Sequence, residues 1–329
     1  MSDVRGESHW CLRDRGLNIL AVLTAVCTFP LLFVGGLVTS YDVGMAVPDW
    51  PTTFEENMFT YSWLEAPLGV QIEHSHRLLG SLVGFLGILL VVGSFVLRSP
   101  GWLKKLSIAA LLAIILQGVL GGLRVILNAN VGRELAAVHG AFGQATFALL
   151  VAIGVFTSRS FREAVPVAHG EARQVQWTTL LMAVLVYLQI VLGAGVRHLG
   201  AGFVLHLVLA GGLTLLLFWT VFVVALHGPV REKLIVPVAL FVGLFVIQVF
   251  LGVGAMYLTG LTPPGFGTQP KNAEAIVATL HQTIGSLLLA IAVILVLNAF
   301  RRLTPEGKVS ESVAATPASQ GHSVAGAAG

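Results

Sequence analysis

Four histidines in this 329-residue sequence occupy equivalent places. His76, His139, His206 and His281 each fall near the start of a long apolar run, in the second, fourth, sixth and eighth of eight such runs. One helical turn further on stands a small residue: Gly80, Gly143, Ala210 and Gly285. Positions i and i+4 share a helix face, so the surface beside each imidazole is flat. Ionisable groups inside apolar spans are costly and usually mark function. Neutral imidazole is a good axial ligand for haem iron, and a porphyrin plane needs flat space to approach a helix. Zinc would more often draw on cysteine or clustered carboxylates, and Cys11 and Cys27 lie far from these histidines. The four histidines therefore read as iron ligands in two bis-His haem sites, His76 with His139 and His206 with His281. The plainer reading of any one of them is a hydrogen-bonded interfacial residue, and of the glycines, close helix packing.

Three arginines, Arg77, Arg124 and Arg197, fall at span ends near the histidines. Arginine binds carboxylates bidentately, so these are candidate partners for haem propionates. Snorkelling to the interface is the alternative. Glu73 lies three residues before His76, on the same helix face, where its carboxylate could stand at a haem edge. It also lies four residues before Arg77, a favourable ion-pair spacing, and the sequence leaves both roles open. His198, beside Arg197, is a weaker propionate candidate. His74 faces elsewhere on its helix, and His9, His169, His227 and His322 read as solvated.

The elements that must carry these side chains are membrane spans. Hydrophobic residues make up 56% of the chain and charged ones only 11%, against about 25% in soluble domains. The eight apolar runs, at 17–38, 72–97, 103–123, 134–157, 175–195, 201–226, 233–257 and 273–300, approach or exceed the roughly 20 residues that cross a bilayer as a helix. Unbroken runs such as LLVAIGVF exclude the alternation of a transmembrane barrel. Fourteen of the nineteen Lys and Arg residues fall in segments on one side of this pattern, and the loop 39–71 on the other side has none. The positive-inside rule puts both termini in the cytoplasm. The net charge of +3 follows topology and gives no case for nucleic acid. No cleavable signal is expected at the N-terminus, no disulfide between the two cysteines, and a bacterial inner membrane is the simplest location.

An internal echo divides the spans. Gln117-Gly-Val-Leu-Gly121-Gly122 then Arg124, Gln189-Ile-Val-Leu-Gly193-Ala194 then Arg197, and Gln248-Val-Phe-Leu-Gly252 recur in the third, fifth and seventh spans, with only Gly35-Gly36 in the first. The expected fold class is an all-α integral membrane protein of eight transmembrane helices in two pseudo-symmetric four-helix bundles. The expected divisions are a cytoplasmic tail 1–16, a first half 17–158, a cytoplasmic linker 159–174, a second half 175–302 and a disordered cytoplasmic tail 303–329. Duplication is common among membrane proteins and by itself specifies no activity.

In these residues the chain resembles the haem A synthase family. The likeness is carried by Gly35-Gly36-Leu-Val-Thr39-Ser40, Pro48-Asp49-Trp50-Pro51, Glu73-His-Ser-His76-Arg77, the segment 117–124, Ala-Val-His139-Gly, the segment 192–198, His206 and His281-Gln-Thr-Ile-Gly285. The resemblance implies oxidation of the C8 methyl of haem O to the formyl group of haem A, through a hydroxymethyl stage, for cytochrome oxidase assembly. It implies haem O as substrate on His76 and His139, a haem b cofactor on His206 and His281, and Glu73 as the catalytic acid. Haem O synthase, an electron-transfer partner, membrane lipid and further copies of the chain are the expected partners. Many bacterial relatives carry a cysteine pair in the first outer loop; here the loop has none and Thr53 stands near that place. A b-type cytochrome would need the four ligands without Glu73, and a transporter would need neither.

Overall fold

The computed structural model describes residues 12–260 and 272–306. Within them the chain forms α1 (Leu12–Ser40), α2 (Leu68–Val96), α3 (Gly101–Ile126), α4 (Asn128–Thr157), a short α5 (Arg159–Arg162), α6 (Ala172–Leu199), α7 (Phe203–Leu226), α8 (Gly228–Thr259) and α9 (Asn272–Arg302). All but α5 are long and apolar enough to cross a membrane, so the protein is a multi-pass helical membrane protein. Each coincides with one of the eight runs expected from sequence, most extended by a few residues at one or both ends. Proline or left-handed glycine punctuates them: Pro67 and Pro100 precede α2 and α3, and Gly200, Gly202 and Gly260 take positive φ at the α6 end, the α7 start and the α8 end.

Side chains that face outward are themselves apolar, Leu215, Phe218 and Phe250 among the most exposed. Lipid, unlike water, imposes no penalty on that arrangement. Backbone groups are closed within helices, and hydroxyls such as Thr24, Thr28, Ser107 and Thr283 bond the carbonyl four residues back. With no water at that depth, this is how a buried hydroxyl satisfies itself.

Helices α1 to α4 pack in a closed ring, each against its sequence neighbour and α1 against α4. Helices α6 to α9 do the same, with α6 against α9. Leu17, Leu90, Leu150 and Ile153 lie at the core of the first group, and Met182, Leu213, Phe241 and Leu288 at that of the second. The groups meet where α9 lies on α1 and α4, and where α4 lies on α6.

At one end of the bundle the structure corrects an expected boundary. Leu303 and Thr304 do not begin a loose tail: they form β2, parallel to β1 (Val167–Ala168), and Leu303 is buried. Arg301 donates to the carbonyls of Phe161 and Arg162, and Arg302 to that of Ser160. The segment 159–174 is thus clamped to the end of α9, because its open carbonyls match two guanidinium forks. The rest of the expected tail, the N-terminal residues with Cys11, and the segment 261–271 with Lys271 lie outside the described residues.

Candidate functional site

The four singled-out histidines come together as two pairs. His76 on α2 and His139 on α4 have ring centres 6.4 Å apart with planes at 76°. His206 on α7 and His281 on α9 have ring centres 6.3 Å apart with planes at 71°. Neither pair is adjacent in sequence. Each forms because α1 and α3, or α6 and α8, alternate with the His-bearing helices around a four-helix ring.

Each ring leans on the partner helix that precedes it. A Cβ at Gly35 on α1 would stand 2.7 Å from His76 Cε1, and one at Gly252 on α8 would stand 2.8 Å from His281 Cε1. The corresponding separations are 3.2 Å for Gly193 on α6 and His206, and 3.5 Å for Gly121 on α3 and His139. Four residues before each glycine is a backbone carbonyl facing the ring. His206 Nδ1 lies 3.2 Å from Gln189 O, and His281 Nδ1 lies 3.1 Å from Gln248 O. His76 and His139 face the carbonyls of Leu31 and Gln117 in the same way, without reaching hydrogen-bond geometry. A carbonyl accepts and never donates, so in His206 and His281 Nδ1 carries the proton and Nε2 keeps its lone pair. At His281, the Gln248 amide nitrogen lies 3.4 Å from that Nε2, consistent with an acceptor there. These glycines and carbonyls were missed as site residues from sequence, although the Gln-to-Gly spacing of the echo carried the signal.

The small residues one turn beyond the histidines differ among themselves. A Cβ at Gly80 would meet nothing within 4 Å, one at Gly143 only Leu32 and Gln117 near 3.7–3.8 Å, and one at Gly285 the Gln248 amide at 3.3 Å. Open space therefore adjoins the first pair, while the Gln248 side chain lies over the second.

Glu73 is buried and doubly held: Oε1 accepts from Arg77 Nη2 at 2.8 Å and Oε2 from the Val47 amide at 2.9 Å. Arg77 also donates to the carbonyls of Val47, Asp49 and Thr52. All four of its Nη hydrogens are committed, so through them Arg77 holds the loop between α1 and α2. Its Nε–H is the one guanidinium donor outside these bonds. His74, as expected, faces away from the pair. It is buried between Tyr61 and Trp63 with Thr53 at 3.2 Å from Nδ1. Asp49 closes the loop turn. Burial works against its charge, but bonds from Thr52 and the amides of Glu55 and Phe54 outweigh it and hold the carboxyl below the usual range.

The other two arginines are placed differently. Arg124, at the end of α3, reaches the carbonyl of Gly44 at 3.5 Å, and its Nε is buried without a partner. Arg197, at the end of α6, donates to Gly36 O on α1 at 2.8 Å, to Ser40 Oγ, and to Ala278 O on α9 at 3.1 Å. Its Nε is also buried and unpartnered. A buried cation whose hydrogen-bond partners are neutral is costly until an anion meets it; the acids Glu73 and Asp42 already lie near Arg124. His198 packs near Gly140 on α4, between the two groups of helices.

The donor set fits haem. With metal–nitrogen bonds of about 2 Å and roughly 1 Å more to each ring centre, two imidazoles on opposite faces of one iron stand about 6 Å apart. Both pairs match. Among the described residues no three His, Cys, Asp or Glu side chains gather to hold a metal ion alone; a porphyrin would bring the remaining four nitrogens itself.

Fold and site together define an eight-span helical membrane protein with two facing-imidazole pairs. The chain belongs to the family described as COX15-CtaA, cytochrome oxidase assembly protein, whose pattern matches residues 18–208. It is 35% identical over 188 residues to a protein of Symbiobacterium thermophilum named heme A synthase, covering 54% of this chain and 58% of that protein. It is 29% identical over 184 residues to one of the same name from Alkalihalophilus pseudofirmus, covering 55% and 60%. With a third, from Exiguobacterium sp., it shares 25% identity over 252 residues, 70% of this chain and 79% of that protein. The match thus spans about three fifths of the length of the first two relatives, and His281 lies beyond the family match.

Proposed function

We propose that the protein is a haem A synthase, an oxidoreductase that converts the C8 methyl of haem O to a formyl group in two successive two-electron oxidations. The observation that carries this reading is the separation of the paired imidazoles, 6.4 and 6.3 Å, supported by the family match. His76 and His139 hold the substrate haem O, and His206 and His281 hold haem b. A haem b so bound supplies one-electron chemistry. Arg124 and Arg197 neutralise propionates with their unpartnered Nε groups. The two rings of helices act as related halves, with both termini in the cytoplasm of a bacterial cell and the outer loop over the first pair.

Glu73 is the catalytic residue in this reading. It accepts from two donors and gives up no proton to either, which suits a carboxylate that stabilises positive charge developing at the methyl carbon. Arg77 and Val47 fix its position. A haem O synthase delivering substrate and an electron-accepting partner complete the scheme.

Co-expression with a haem O synthase, followed by pigment extraction, tests the proposal. Haem A or hydroxylated haem O should accumulate. Haem O alone beside well-folded holoprotein would overturn it in favour of an electron-transferring cytochrome.

A further inference from the structure

We infer that Gly35, Gly121, Gly193 and Gly252 are positioning residues for the iron ligands. Each leaves bare the carbonyl four residues earlier, so that an imidazole can dock its Nδ1–H there and aim Nε2 at iron. The inference rests on the haem reading and adds residues that no ligand assignment contains.

The physical reason lies in helix geometry. The carbonyl of residue i points along the axis toward residue i+4, whose amide it binds. It keeps a second lone pair, which a Cβ at i+4 would partly cover. Glycine at that position removes the cover. At Gly193 and Gly252 the ring has taken the exposed lone pair, with Nδ1 at 3.2 Å from Gln189 O and 3.1 Å from Gln248 O. At Gly35 and Gly121 a ring likewise lies against the glycine, on the side of the Leu31 and Gln117 carbonyls, but Nδ1 of His76 and His139 forms no hydrogen bond there. The glycine–ring contact recurs on four different helices, each opposite a different histidine, and at two of them the orienting bond is formed, which is more than a packing stripe needs. The orienting bond fixes the tautomer and raises the basicity of the ligating nitrogen.

The separations rank the four sites. A methyl at Gly35 or Gly252 would lie 2.7 or 2.8 Å from the ring, too close to coexist with it. The ring must yield, because the opposing carbonyl is backbone. At Gly193 the 3.2 Å separation asks for a small shift, and at Gly121 the 3.5 Å separation is ordinary contact.

The test uses full-length protein loaded with ferric haem b, read by its optical spectrum and by haem retained after gel filtration. Gly35→Ala and Gly252→Ala should lose low-spin character at their own site and weaken haem retention about tenfold or more. Gly121→Ala should show the same loss in smaller measure, and Gly243→Ala, where a methyl on α8 meets nothing within 4 Å, should resemble the unmodified protein. Free imidazole should restore the low-spin spectrum of Gly252→Ala by filling the abandoned axial position, which a merely structural defect would not allow. If Gly252→Ala fails to assemble, Gly252→Ala with His281→Ala should assemble, since the shortened side chain removes the clash; continued failure overturns the inference. So do spectra of Gly35→Ala and Gly252→Ala that match those of Gly243→Ala. Unmodified protein that takes up no haem would sink the haem reading itself, a result distinct from any of these.

Discussion

Arg77 Nη2 donates to Glu73 Oε1 at 2.8 Å, one turn back on α2, and the same guanidinium ties down three carbonyls of the loop above. Both side chains are almost wholly buried. The ion pair therefore joins the candidate reacting carboxylate to the cover over it.

Removing one partner of such a pair leaves an uncompensated buried charge. Arg77→Met should destabilise the protein by about 3 kcal/mol, seen as a lower melting temperature in detergent and faster proteolysis of the loop. Arg77→Met combined with Glu73→Gln should recover part of that loss, because neither charge is then stranded. A double variant no more stable than the single one would show that the carbonyl bonds, and not the charge pair, dominate.

Glu73→Gln keeps the volume and loses the charge. Haem A formation should fall at least about a hundredfold if the carboxylate stabilises transition-state charge, while the haem spectra stay close to those of the unmodified protein. Undiminished haem A accumulation in the co-expression assay would remove Glu73 from the chemistry.

The pairing of imidazoles makes a prediction by halves. His206→Ala and His281→Ala should each lose the same haem and keep the other, and His76→Ala and His139→Ala should do the reverse. Haem content per chain and the spectrum of what remains distinguish the two sites. Loss of both haems from every variant would mean that the pairs are not separate sites.

Arg197 tests the meaning of a buried cation with an orphaned Nε. Arg197→Met should leave helix content unchanged but weaken haem retention, because the propionate loses its counter-charge. Arg197→Lys should restore little, since a point charge cannot replace the fork that reaches Gly36, Ser40 and Ala278 together. Retention equal to that of the unmodified protein in both variants would assign Arg197 to helix packing alone.

Asp49 gives the loop between α1 and α2 a pH response. Its folded carboxyl titrates below the ordinary value of 3.8. A depressed carboxyl contributes stability that is present above its unfolded pKa and fades as pH falls through the folded one. The loop should therefore hold at neutral pH and loosen only below about pH 4, read from Trp50 fluorescence or protease sensitivity. Asp49→Asn should be looser at neutral pH and flat across that acid range.

Much of this molecule was legible in one dimension because lipid imposes simple rules. Spans must be long, apolar and helical, so eight of them could be counted, and ionisable groups inside them stand out, so the four histidines could be singled out. Their pairing within each half was expected from the echo of Gln-to-Gly segments. What could not be read was which lone pair or hydrogen each group would find. Glu73 to Arg77 had the spacing of an ion pair and also of a reactive edge, and only the loop folding back over α2 showed that pair formed and Arg77 also bonded to the carbonyls of Val47, Asp49 and Thr52. The role of Gly35 and Gly252 was equally hidden, because a glycine's missing methyl matters only when a ring from another helix arrives there. Leu303 read as the start of a tail because its partner strand lies more than a hundred residues earlier. Local chemistry and periodicity are properties of the chain; the competition of several distant acceptors for one donor is a property of the packed bundle, and it was decided there.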